Sequence, residues 1–254
     1  MIKYLFILAI ECLLCAWPLR AYSQQTSSEY TQGLDGDIGL GVNYRPEIGR
    51  TNSSAARVVP YANFDYGRLF ARIDTFGVKA APMGYGDLEL VGRFMDDGYT
   101  PASVSGALDA RKSSIPIGFG TLQITPIGGM LLNVYRDANK SKSNMVDLIF
   151  GEQLETNYVV WYPQIGAEYR SHQYVNYFYG TSAQDAAMLH SAIYLPGSAT
   201  NLFVDLLAEI KLSGNWYLDV NLRKTWLDTP ISNSPLVDRH TSSTGLVAAS
   251  YRFH

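Results

Sequence analysis

Apolar and polar residues alternate with period two along much of this chain, most regularly toward its C-terminal end. Leu202, Val204, Leu206, Ala208, Ile210 and Leu212 alternate with Phe203, Asp205, Leu207, Glu209 and Lys211. After a Ser213-Gly214-Asn215 turn, Trp216, Leu218, Val220, Leu222 and Trp226 oppose Tyr217, Asp219, Asn221, Arg223 and Thr225, with Lys224 the single exception. This is a hairpin with one apolar and one charged face. In Asp87 to Phe94 the apolar face is Leu88, Leu90, Gly92 and Phe94, opposite Asp87, Glu89, Val91 and Arg93. Leu69 to Val78 reads as one strand, with Leu69, Ala71, Ile73 and Thr75 on one side and Phe70, Arg72, Asp74 and Phe76 on the other. No helical stripe longer than two turns competes with the alternation.

Length and aromatic placement indicate what covers the apolar face. The alternating segments run near ten residues, longer than the roughly five or six of soluble strands and close to a tilted crossing of the hydrocarbon layer. Tyr44, Tyr66, Tyr158, Trp161, Tyr169, Trp216, Trp226 and Tyr251 fall at or near strand ends. Amphipathic rings favour the headgroup level, which makes two girdles. The expected fold is therefore an all-β transmembrane antiparallel β-barrel, in preference to a soluble sandwich. Eleven segments stand out: 37–44, 57–66, 69–78, 85–94, 114–124, 126–136, 144–151, 160–170, 201–212, 216–227 and 243–253. A closed single-chain barrel needs an even number. Twelve strands are expected, the twelfth within 172–195, with ten as the alternative. The longer connections 45–56, 95–113, 171–200 and 228–242 are the expected functional loops.

Composition narrows the partners. Among 254 residues, Lys+Arg 20 against Asp+Glu 23 leaves a net charge of -3 with no basic cluster, which argues against nucleic acid. Residues 1–23 read as a secretory signal, with Lys3 before a short apolar run and Ala21-Tyr22-Ser23 as a cleavage site. The expected mature chain, 24–254, is one barrel domain in the bacterial outer membrane. Both cysteines, Cys12 and Cys15, lie in the signal, so disulfides and Cys-based metal sites are not expected.

Candidate chemistry is sparse. Of the four histidines, only His240, near Asp238 and Ser242, suggests a barrel hydrolase, and a solvated loop histidine is the preferred reading. His172 and His190 lack partners at metal-ligand spacing. No catalytic residue, cofactor site or metal site is expected. The charged faces are more informative. Asp65, Asp74, Asp87, Glu89, Glu168, Asp205, Glu209 and Asp219 should line the lumen opposite Arg72, Arg93, Arg170, Lys211, Arg223 and Arg252. Near-balanced charge in a narrow barrel suits a plug of ion pairs better than a solute pore, which would favour one sign.

Several segments carry a family resemblance. Pro60-Tyr61-Ala62-Asn63-Phe64-Asp65-Tyr66-Gly67-Arg68-Leu69-Phe70-Ala71, Pro163-Gln164-Ile165-Gly166-Ala167-Glu168-Tyr169 and Asn176-Tyr177-Phe178-Tyr179-Gly180-Thr181-Ser182 come first. Ser234-Pro235-Leu236-Val237-Asp238-Arg239 and Ser250-Tyr251-Arg252-Phe253 follow. In this order the chain resembles the MltA-interacting protein / OmpV family of Gram-negative outer-membrane proteins, while Met95 to Lys112 matches that pattern less well. The final strand, with Gly245, Val247, Ala249, Tyr251 and Phe253 on one face, also resembles the C-terminal assembly signal of bacterial outer-membrane barrels. Tyr251 and Phe253 would carry that signal, and His254 after them is a departure. The resemblance implies an outer-membrane scaffold without catalytic residues. Its implied partners are a lytic transglycosylase and a murein synthase of the penicillin-binding class, beside the lipid itself. A small-solute pore or a surface adhesin or antigen is the alternative.

Overall fold

The structure, a computed structural model, describes residues 30, 33–46, 56–99, 101 and 108–254, so the signal read at 1–23 lies outside the described residues. The strands are β1 (Leu34–Tyr44), β2 (Ala56–Tyr66), β3 (Leu69–Arg72), β4 (Thr75–Met83), β5 (Gly86–Arg93), β6 (Ile117–Thr125) and β7 (Gly128–Arg136). They continue as β8 (Asn144–Gly151), β9 (Leu154–Glu155), β10 (Val159–Arg170), β11 (Ala199–Ser213), β12 (Trp216–Trp226) and β13 (Thr241–Phe253). Among the described residues three short helices interrupt the loops: α1 (His172–Tyr179), α2 (Ala183–Leu189) and α3 (Thr229–Ser232). Neighbouring strands pair antiparallel, and β13 returns to β1 with Val42 opposite Val247. The two-residue β9 is a spur on β10, which itself pairs with β8 and β11. The remaining twelve strands close the barrel.

The count of twelve matches the expectation, but the extra strand is elsewhere. Segment 69–78 is two strands, because Ile73 adopts a left-handed φ of 56° and starts a turn at 73–74. The turn inverts the faces, so Thr75 points inward and is buried while Phe76 faces out. Segment 172–195 instead forms α1 and α2. Its Tyr and Val content favours strands, yet Tyr174, Val175, Phe178 and Tyr179 bury one helical face over the lumen, and that burial prevails. At α2, Ser182 Oγ accepts the Asp185 amide and Asp185 accepts the Ser182 amide, a capping box. Because β3 has only four residues, β2 pairs on that side only from Asn63 to Tyr66 among the described residues. Above it the loop after β5 fills in, with Arg57 bound to Asp96 at 2.5 Å.

The apolar face is the outer one. Leu202, Val204 and Leu206 are 58, 43 and 36% exposed, whereas Phe203 and Leu207, on the opposite face of the same strand, are buried. Two stacked sheets would have reversed this. An exposed belt including Leu40, Val58, Ile117, Ile165, Leu222 and Val247 encircles the barrel. It far exceeds the apolar patch of a soluble monomer, and each large side chain would forfeit about 1.5–3 kcal/mol in water. Hydrocarbon is the medium that removes that penalty. No described helix is long and apolar enough to cross a membrane.

The two ends differ. Short turns join β2–β3, β4–β5, β6–β7 and β11–β12 at one end, with Gly84 and Gly214 supplying positive φ. Both ends of the barrel segment, Leu34 and Phe253, lie there too. In bacterial outer-membrane barrels the short turns commonly mark the periplasmic side.

Candidate functional site: a charge-filled lumen under a helical lid

Side chains flanked by lipid-facing neighbours point into the barrel, and these inward positions converge. Nearest the loops, Asp147 on β8 accepts from Arg93 of β5 and Arg170 of β10, both at 2.6 Å. Arg93 also donates to Asp74 at 2.9 Å, and Arg170 lies 3.4 Å from Glu168. Glu168 accepts from Arg223 at 3.0 Å, while Arg223 and Asn221 donate to Asp205 at 3.1 and 2.6 Å. The chain of contacts thus crosses from the β3–β4 turn to β11. Toward the turns, Arg72 grips Glu89 through two bonds of 2.9 and 2.6 Å. Lower still, Arg252 donates to Asp37 at 2.8 and 2.5 Å and to Glu209 at 2.8 Å. Asp219 accepts from Ser250 at 2.5 Å. At the mouth, the Tyr30 hydroxyl lies 3.4 Å from Asp87, and Arg68 sits over the Tyr30 ring.

The lid covers the other end. Tyr174, Val175, Phe178 and Tyr179 of α1 pack with Met95 and Tyr99 of the β5–β6 loop and with Leu227, Ile231 and Val237 of the β12–β13 loop. The Tyr99 hydroxyl donates to the Phe178 carbonyl, and Ser234 Oγ to the Tyr179 carbonyl at 2.5 Å, so α1 does not end in bare acceptors. Asp97 tethers the lid to the wall by accepting from Arg45 at 2.5 Å and from the Tyr174 hydroxyl at 2.6 Å. Burial alone would raise the Asp97 carboxyl, but the Arg45 guanidinium and the Tyr174 hydrogen bond hold it below the usual carboxylate range. Burial, then the Asp97 charge, pushes the Tyr174 phenol well up. The cavity between lid and ion pairs, lined by Arg93, Glu168, Arg170 and Tyr174 among others, measures about 40 Å³, close to the space of one water. A larger groove of about 700 Å³ runs over Pro163, Ile165, Val204, Leu206 and Leu222, on the lipid-facing side.

Arg72, Asp87, Glu89, Arg93, Glu168, Arg170, Asp205, Glu209, Asp219 and Arg223 stand on the inner strand faces. Asp74 belongs to the 73–74 turn and reaches back to Arg93 with its side chain 42% exposed. Asp65 pairs with Lys79 at 3.0 Å at the turn-side mouth. Lys211 is exposed next to a register shift at Lys211/Ser213 and does not line the lumen. Asp37, Asp147, Arg45, Asp97 and Tyr61 were not among the expected lumen residues. For Asp37 and Asp147 a signal exists: Asp37 precedes the alternating Ile38, Leu40 and Val42, and Asp147 sits between Val146 and Leu148. Arg45 and Asp97 lie in loops, where alternation gives no cue.

His172, His190 and His240 are exposed, whereas Ser242 is buried on β13. Among the described residues no side-chain hydrogen bond joins His240 to Ser242. Tyr251 and Phe253 face outward at the turn side, where Tyr251 packs edge-on against Trp216 at 5.4 Å and Phe253 at 5.1 Å between ring centres.

Comparison with known proteins adds a lineage to this geometry. The family model described as MltA-interacting protein MipA matches residues 38–253. The "MltA-interacting protein" of Escherichia coli (strain K12) is 26% identical over 149 residues, 58% of this chain and 59% of that protein. The protein of the same name from Shigella flexneri matches equally. The aligned part thus spans less than two thirds of the length of these two relatives. The "Putative outer membrane protein YiaT" of Escherichia coli O157:H7 is 22% identical over 221 residues, 85% of this chain and 90% of its own length.

Proposed function

The chain belongs to the MltA-interacting protein MipA family of outer-membrane β-barrels, and from that premise we propose that it is a non-catalytic scaffold for peptidoglycan-remodelling enzymes. Its first partner in this reading is a membrane-bound lytic transglycosylase, the class of enzyme that the name of its relatives refers to. A murein synthase of the penicillin-binding class is the second. The observation that carries the reading is the family match across almost the whole barrel, 38–253.

The geometry supports it in a negative way. Cross-lumen ion pairs and the packed lid leave little passage for solute, so the exposed surfaces become the working parts. Cell-wall enzymes act in the periplasm, and the short turns at 84–85 and 126–127 present the surface they would meet. Outer-membrane location after cleavage near Ser23, and a role for Tyr251 and Phe253 in recognition by the assembly machinery, belong to the same proposal.

Photo-crosslinking in cells tests it. A photoreactive residue in place of Tyr85 or Ile127, on the turn side, is expected to capture a lytic transglycosylase, whereas one in place of His240 is not. Failure of both turn-side positions, in barrels that reach the outer membrane, would overturn the scaffold reading. Determination of the mature N-terminus by mass spectrometry tests cleavage near Ser23.

A further inference from the structure

Lys224 breaks the alternation of β12. It stands on the outward face two residues before Trp226, it is exposed, and its ammonium has no hydrogen-bond or ion-pair partner among the described residues. Strand register sets it in a row that is apolar up to its last two members. Phe150 of β8 pairs with Ile165 of β10, Ile165 with Val204 of β11, Val204 with Lys224, and Lys224 with Ser243 of β13. That row, with Pro163, Leu206 and Leu222 one outward step nearer the turns, walls the groove of about 700 Å³ on the lipid-facing side. Five strands spaced by about 4.8 Å make it roughly 19 Å from end to end, comparable with the ~15 Å that one leaflet's chains occupy. Glu152 lines the far end beside Pro163, with β10 and β11 between it and Lys224.

A charge on the lipid face of a barrel costs more the deeper it lies, and a long Lys side chain relieves this by carrying its ammonium to the headgroup level. The exposed Trp226 marks that level one outward step above Lys224. The ammonium therefore sits under the aromatic girdle at one end of a groove sized for an acyl chain. Ser243 faces outward opposite Lys224, and Thr241 stands opposite Trp226, so two hydroxyls and an indole face form a ledge at headgroup height. Hydroxyls and an exposed indole suit a sugar ring better than a glycerol backbone.

We propose that Lys224 and Ser243 bind a phosphate of lipid A, the phosphorylated glycolipid of the outer leaflet, and that one of its acyl chains lies over Val204, Leu206 and Leu222. The leaflet follows from strand direction. Strand β12 rises from the short turn at 214–215 to Trp226, so Lys224 lies near the end away from the turns that commonly mark the periplasmic side. The ammonium supplies a charge-assisted hydrogen bond to a phosphate oxygen, and the serine hydroxyl donates a second.

The test uses the intact barrel in non-ionic detergent, freed of co-purified lipid, titrated with diphosphoryl lipid A alone and observed by native mass spectrometry. A one-to-one adduct is expected. Lys224→Gln should weaken it at least about tenfold, the loss of one hydrogen bond to a charged group, whereas Lys224→Arg should retain most of the affinity. Lys224→Met carries the same expectation as Lys224→Gln should that variant not fold. Val204→Phe fills the groove, keeps the ammonium, and should also weaken binding at least about tenfold by displacing the chain. Attraction of phosphate to an exposed amine alone would not respond to that change. Phosphatidylglycerol, with a phosphate and acyl chains but no sugar ring, should bind more weakly. No one-to-one adduct in the parent, or an equal adduct in a folded Lys224→Gln, Lys224→Met or Val204→Phe barrel, would overturn the proposal. So would phosphatidylglycerol binding as tightly as lipid A.

Discussion

Replacing Asp147 by Ala tests whether the lumen is a dry, ion-paired plug. The Asp147 side chain is 6% exposed and bridges Arg93 and Arg170, which are 13 and 5% exposed. Truncation leaves both guanidiniums in place. Arg93 keeps Asp74 at 2.9 Å, but that carboxylate is partly in solvent, and Arg170 keeps the longer 3.4 Å contact to Glu168 and a 3.1 Å bond to the Tyr169 carbonyl. Removing one partner of a buried pair typically costs about 3–5 kcal/mol, and the retained partners place the expected loss near the lower end, about 3 kcal/mol. Asp147→Asn preserves shape and an acceptor but not the charge, so its loss should be smaller, about 1–2 kcal/mol. Urea titration in detergent, followed by heat-modifiable gel migration and by tryptophan fluorescence, reads both numbers. A loss within about 0.5 kcal/mol of zero for Asp147→Ala would refute the reasoning. It would mean that water fills the lumen and screens these charges as it screens a surface pair.

Four further outcomes are expected. Val247→Arg places a charge at mid-strand on the outer face, at a position 49% exposed to whatever surrounds the barrel. It should destabilise the barrel by about 2–4 kcal/mol in bilayers, and a neutral effect would contradict lipid contact there. Phe178→Ala empties a fully buried position in the lid and should cost about 3–5 kcal/mol, with faster proteolysis of the 171–200 loop as the readout. Asp137 is buried, which alone would raise its carboxyl, but hydrogen bonds from Ser141, Asn139 and Lys140 outweigh that and hold it below 3.8. Its stabilisation should therefore be complete above the unfolded value of 3.8 and fade as pH falls below it, so the stability gap between the parent and Asp137→Ala should shrink only in acid. In planar bilayers the parent barrel should show no steady openings, and solute-blocked conductance would favour a pore instead.

Period-two patterning was enough to place the outer and inner faces of β5, β11, β12 and β13, because strand side chains alternate whatever the rest of the fold does. It was also enough to separate lipid-facing Leu202 and Val204 from lumen-facing Asp205 and Glu209, and to set Trp216, Trp226 and Tyr251 near the interfaces. Near ten-residue strands and the need for an even number then favoured a twelve-stranded barrel. Tertiary structure decided the rest. The turn at Ile73-Asp74 divides what alternation alone reads as one strand, since a single left-handed residue reverses the chain without disturbing local polarity. Helix α1 forms where Tyr and Val content suggests a strand, because its aromatic face is buried only by packing on loops from β5–β6 and β12–β13. The juxtaposition of Asp37 with Glu209, and of Asp97 with Arg45, depends on closing β13 onto β1 and on folding loops over the mouth. Such contacts join residues far apart in the chain, so local periodicity cannot encode them. Alternation sets the faces, whereas barrel closure and lid packing choose which inward charges meet.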